Sequence, residues 1–112
     1  MSSHLDYQKI RPAFKLWFEI GENYVFGEGT YNLLKNIQEE KSISRAAKAS
    51  NMSYRYAWGL IKDIETHLGE PAVKTQRGGK HGGKSELTSA GLSLLKSYSK
   101  LRRAMSNICK FK

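Results

Sequence analysis

Only one cysteine, Cys109, and two prolines, Pro12 and Pro71, occur in the 112 residues. A lone cysteine excludes an internal disulfide and a cysteine-rich zinc site, and it fits a reducing compartment. His4, His67 and His81 are scattered without metal-ligand spacing, so neither a metal nor a cofactor is expected. No apolar run approaches the roughly 20 residues that a membrane helix needs. The opening MSSHLDYQKIRP also lacks the apolar core of a signal peptide. No membrane association is expected, and the expected location is the cytoplasm. Acidic residues are missing from one end. Residues 71–112 hold ten Lys/Arg and a single carboxylate, Glu86, whereas residues 1–70 are balanced. The whole net charge of +9 therefore sits in the last 42 residues. A surplus confined to one end implies an anionic partner.

The chain reads as one α+β, mainly α domain spanning 1–112. AFKLWFEI alternates, with Phe14, Leu16, Phe18 and Ile20 on one face and Lys15, Trp17 and Glu19 on the other. With the GEN turn and YVF it predicts a β-hairpin over 13–26. Thr30 is expected to cap a helix over 30–40 that places Leu33, Leu34 and Ile37 on one side. Residues 43–68 then predict two short helices. Ser42 or Ser44 can cap the first, which carries the small residues Ala46, Ala47 and Ala49. Asn51 supplies the turn because asparagine tolerates a positive φ. Ser53 caps the second, whose Ala57, Leu60, Ile61, Ile64 and Leu68 recur with helical period until Gly69 and Pro71 stop it. AVKTQR and KSEL predict a strand pair over 72–87, and a final helix runs over 88–109 from Thr88.

Two helices joined by so short a turn suit a helix-turn-helix, with Met52 plugging the gap between them. The second helix turns Arg55, Gly59, Lys62 and Thr66 outward, with Ser53 and Tyr56 near its exposed start. That is the part of a recognition helix that meets base edges in a major groove. Periodicity places Tyr54 beside Ala57 and Ile61 on the packed side, and Trp58 reads as core. Arg45 and Lys48 of the first helix suit backbone phosphates. A basic strand pair following a helix-turn-helix makes a winged helix. Its wing presents Arg77, Gly78, Gly79, Lys80, His81, Gly82, Gly83 and Lys84 to phosphates or a minor groove.

GGKHGGKS also satisfies the formal pattern of a phosphate-binding P-loop. That motif must follow a buried apolar strand and open into a helix. Here the lead-in VKTQR is polar, SEL continues as strand, and no hydrophobic strand ending in Asp follows. No nucleophile–base pair stands out elsewhere, so an enzyme is not expected. An architectural DNA-binding or RNA-binding protein is the alternative reading. A protein-interaction module built on a winged helix is also compatible.

SISRAAKASNMSYRYAWGLIKDIE, followed by PAVKTQRGGKHGGKSELTSAGLSLLKSY, resembles the N-terminal DNA-binding domain of the ModE family. These are molybdate-responsive transcriptional regulators related to the winged helices of LysR-type regulators. The similarity runs from about Gly29 to Leu101 and rests on the recognition helix, the double-glycine wing and the LT–G–LL helix start. It implies a homodimer on an inverted-repeat operator of double-stranded DNA. It also implies that Ser53, Tyr54, Arg55 and Lys62 lie on the DNA-facing helix, with Arg77 to Lys84 in the wing. The family's oxyanion-sensing domains have no counterpart in these residues, so molybdate binding is not expected. Leu94, Tyr98, Leu101, Met105 and Ile108 are spaced 4-3-4-3 along the last helix and predict a dimer seam. The same stripe can instead cover the hairpin and first helix.

Overall fold

The computed structural model describes residues 9–76 and 83–110. Among these residues eight elements follow the expected order: β1 (Phe18–Ile20), β2 (Asn23–Phe26), α1 (Glu28–Glu40), α2 (Ile43–Ala49), α3 (Tyr54–Leu68), β3 (Val73–Gln76), β4 (Lys84–Leu87) and α4 (Ser89–Ile108). The result is a winged helix-turn-helix with an added N-terminal hairpin and a long C-terminal helix.

The hairpin strands are shorter than predicted, yet burial alternates from Ala13 through Ile20 with the expected face inward. Gly21 at φ 64° lets the chain reverse in two residues between Ile20 and Asn23. The register then slips, so that Phe18 faces Phe26 while Glu19 faces Tyr24. This bulge carries Val25 and Phe26 both into the core. Phe26 and Phe18 stack at 5.7 Å, and both meet the edge of Tyr98 from α4.

Thr30 does not cap α1. The helix begins two residues earlier at Glu28, after Gly27, and Thr30 is buried in its first turn. Glu28 complements the positive end of the helix dipole there. At the other end Lys41 takes a positive φ of 57° without a glycine. Its carbonyl accepts the Ser85 N–H at 3.0 Å, which ties strand β4 to the α1–α2 link. α1 is the centre of the fold, with Leu33, Leu34 and Ile37 fully buried.

Of the two candidate caps of α2, Ser42 serves, accepting the Arg45 N–H at 3.1 Å. Ala46 and Ala47 are buried where α1, α2 and α3 converge. Asn51 adopts φ 57°, and the Met52 N–H returns to the Ala47 carbonyl at 3.0 Å, closing the turn. Met52 packs against the core as expected of a plug. Ser53 caps α3 through the Tyr56 N–H at 3.0 Å, and Gly69 at φ 75° ends it.

The Glu65 carboxylate reaches out of α3 to accept the N–H groups of Ala72 and Val73 at 2.9 and 3.3 Å, fixing where β3 begins. β3 and β4 pair antiparallel from Val73–Leu87 to Gln76–Lys84. Thr88 then accepts the Gly91 N–H as N-cap and donates to the Pro71 carbonyl at 2.7 Å. One threonine thus starts α4 and clamps it to the α3–β3 link.

Candidate nucleic-acid interface

The outward surface of α3 follows from its helical period. Ala57, Ile61 and Ile64 are buried, so Arg55, Gly59, Lys62 and Thr66 fall on the opposite face, all exposed. Ser53 and Tyr56 stand exposed at the N-terminal end as expected. Gly59 lies at the middle of this face. A methyl group there would meet nothing within 4 Å inside the protomer, so folding does not require the glycine. What its absent side chain provides is close access to the helix backbone from outside.

Tyr54 departs from its periodic placement. It is 55% exposed and meets the half-buried Trp58 edge-on at 6.3 Å, flanking the face and not packing beneath it. Trp58 packs against the core, as expected of a large aromatic. Lys62 lies with its Nζ 6.0 Å from the Trp58 ring centroid, a cation–π placement that orients the lysine along the exposed edge. Asp63, also exposed, adds a carboxylate to this surface, and His67 Nδ1 lies 2.9 Å from the Asp63 carbonyl oxygen and 3.7 Å from its carboxylate. Composition alone had not singled it out.

Arg45 and Lys48 of α2 are exposed near the turn. Arg45 is already engaged: it donates to the Glu40 carbonyl at 2.9 Å and pairs with the Glu40 carboxylate at 3.5 Å. It caps the end of α1, a role that sequence reading missed. Lys48 has no carboxylate partner among the described residues.

Arg77, Gly78, Gly79, Lys80, His81 and Gly82 lie outside the described residues. Gly83 and Lys84, which end the wing segment, are both exposed. A Cβ at Gly83 would come 2.6 Å from the Gln76 carbonyl oxygen, so the ladder itself requires this glycine. Ser85 decides the P-loop question. It is buried within β4, its hydroxyl 3.2 Å from Thr75 Oγ1, and a strand continues where a P-loop would open a helix. Among the described residues no group of three His, Cys, Asp or Glu side chains could hold a metal ion, and no helix is long and apolar enough to cross a membrane.

The predicted seam on α4 divides in two. Leu101 is 47% and Ile108 is 73% exposed, Met105 is half-buried, and Leu94 packs against the core. Tyr98 is the correction. It is 1% exposed within one protomer, against Phe18, Phe26 and Tyr31, so it has no surface to offer a second chain. The hairpin and the first helix take up this position, which is the alternative that the spacing left open for the stripe.

The family model of bacterial regulatory helix-turn-helix proteins of the lysR family matches residues 30–92, from α1 to the start of α4. The transcriptional regulator ModE of Yersinia pestis is 44% identical over 66 residues, covering 59% of this chain and 25% of the relative. The transcriptional regulator ModE of Haemophilus influenzae is 36% identical over 75 residues, 67% of this chain and 29% of the relative. The DNA-binding transcriptional dual regulator ModE of Escherichia coli K12 is 37% identical over 67 residues, 60% of this chain and 26% of the relative. The chain thus spans about a quarter of the length of these curated relatives. The matched stretch contains the whole helix-turn-helix and the strand pair, which agrees with the resemblance read from the sequence. The chain belongs to the bacterial regulatory helix-turn-helix proteins of the lysR family.

Proposed function

We propose that this protein is a transcriptional regulator, not an enzyme, and that it binds duplex DNA sequence-selectively as a homodimer on an inverted repeat. The observation that carries the reading is the outward face of α3. Arg55, Gly59, Lys62 and Thr66 form an exposed strip, with open space beyond Gly59. Arg55 has the donor geometry to hold a guanine bidentately, worth about 1–3 kcal/mol of base discrimination. Gly59 admits the helix backbone deep into a major groove. Ser53, Tyr54 and Tyr56 offer hydroxyls at the helix start, where phosphates and base edges converge.

Lys48, Lys84 and the remaining wing residues act on the phosphate backbone, which sets position and affinity without reading sequence. Two such domains, joined through Leu101, Met105 and Ile108 of α4, would present α3 to half-sites one or two DNA turns apart, roughly 34 Å per turn. Molybdate is not assigned as a ligand, since the match to the ModE relatives covers only about a quarter of their length.

A binding-site selection from random duplex DNA at two salt concentrations tests the proposal. Recovery of a palindromic site supports it. Equal recovery of all sequences at both salts would favour the architectural reading instead.

A further inference from the structure

The last helix carries charge that the recognition face does not absorb. α4 contains Lys96, Lys100, Arg102 and Arg103 and no Asp or Glu along its 20 residues. Arg102 is accounted for, because its guanidinium meets the Glu28 carboxylate at 2.8 Å. Lys96, Lys100 and Arg103 stand at i, i+4 and i+7, all exposed, and no carboxylate among the described residues pairs with them. Like charges at this spacing repel, so the stripe destabilises the helix that bears it. A solvated face mixes signs to avoid that repulsion. This one does not.

The same flank closes a groove against α1. The groove has a volume of about 560 Å³ and is floored by the buried Leu95 and Tyr31. Lys35 joins from α1, so among the described residues four cations line the groove and no carboxylate does. It is separate from the recognition surface, since none of its lining residues belongs to α3 or to the strand pair. It is also separate from the apolar residues Leu101 and Ile108, which lie about 120° around the helix at 3.6 residues per turn.

We infer that this groove docks an acidic, partly apolar segment of a partner protein. Four cations without a carboxylate partner among the described residues recognise carboxylates and steer them in. The Leu95 and Tyr31 floor accepts apolar side chains, which a phosphate backbone does not have. The concave shape between two helices suits a peptide laid along it. Duplex DNA is instead read by elements that project into its grooves.

The test uses the full chain and a fluorescent synthetic peptide alternating glutamate with leucine, with poly-glutamate as control. The alternating peptide should bind more tightly than poly-glutamate. The triple variant K35Q/K100Q/R103Q should lose at least about tenfold in peptide affinity, as expected when several complementary charges are removed. Its thermal melting and the salt dependence of its duplex DNA binding should stay as in the parent. Undiminished peptide binding by the variant would overturn the inference, as would equal binding of poly-glutamate. A salt slope on DNA reduced by about three, one per cation removed, would assign the groove to the DNA backbone and overturn it too. No residue of α3 or the wing is altered, so a failure of sequence selection on DNA would leave these peptide results standing.

Discussion

The Tyr98 hydroxyl lies 2.8 Å from the carbonyl oxygen of Leu16 and 3.0 Å from the carboxylate of Glu28. A single phenolic proton thereby holds the arm before β1, the first turn of α1 and the middle of α4 together. Arg102 completes the cluster by pairing with Glu28 and lying 5.7 Å from the Tyr31 ring. Burial, followed by the hydrogen bond and charge of Glu28, pushes the Tyr98 phenol up from 10.0 to about 12.

Tyr98→Phe should therefore cost about 1–2 kcal/mol at neutral pH, the range for losing a buried hydrogen bond to partners left behind. The parent's stability from this group is complete below pH 10, the unfolded value, and is lost as pH rises through the folded value near 12. The gap between parent and variant should shrink across that window. Urea denaturation at neutral pH and at successive alkaline pH values measures both.

Two glycine-to-alanine changes on helices should act in opposite directions. In α3, Gly59→Ala meets open space, so it should raise stability by about 0.5–1 kcal/mol through helix propensity. The same variant should weaken binding to the selected DNA site, because the added methyl stands between helix and groove. Thermal melting and fluorescence anisotropy separate the two effects.

In α4, Gly91→Ala drives its Cβ into the carbonyl oxygen of Ala72. That backbone is fixed by the Thr88 N–H at 2.9 Å and by the Glu65 carboxylate bond to the Ala72 N–H, so it has little room to move. A loss of about 1–3 kcal/mol is expected from overpacking, despite alanine's better helix propensity. Chemical denaturation checks it.

The dimer seam yields its own expectation. Leu101→Glu together with Ile108→Glu changes residues that are exposed in the protomer, so the fold should persist. Sedimentation equilibrium should give twice 12.7 kDa for the parent and a single chain mass for the double variant. Affinity for an inverted repeat should fall steeply while affinity for a half-site stays the same, since linked sites gain from effective concentration.

Much of this was legible in the sequence because local chemistry determined it. Ser53, Gly69 and Thr88 terminate their helices as capping rules require, and Asn51 turns where a positive φ was needed. The alternation from Phe14 to Ile20 marked the inward face of the hairpin. What was illegible depended on partners distant in sequence. Tyr98 fits a heptad by spacing, but its neighbours Phe18 and Phe26 come from the other end of the chain. Arg45 also donates to the Glu40 carbonyl, a bond to the end of α1 that its place in α2 does not announce. Thr30 resembled a cap because it follows a glycine, yet the helix had begun at Glu28.

The claim on which the rest depends is that α3 reads base sequence while the strand pair holds the backbone. Parallel selections from random duplex DNA with the parent, Arg55→Ala and Lys84→Gln test it directly. The parent should return an inverted repeat, and Arg55→Ala should return the same repeat with one position per half-site relaxed. Lys84→Gln should return the parent's sequence unchanged, with weaker binding and a salt slope lower by about one. An Arg55→Ala selection identical to the parent's at every position would contradict the account.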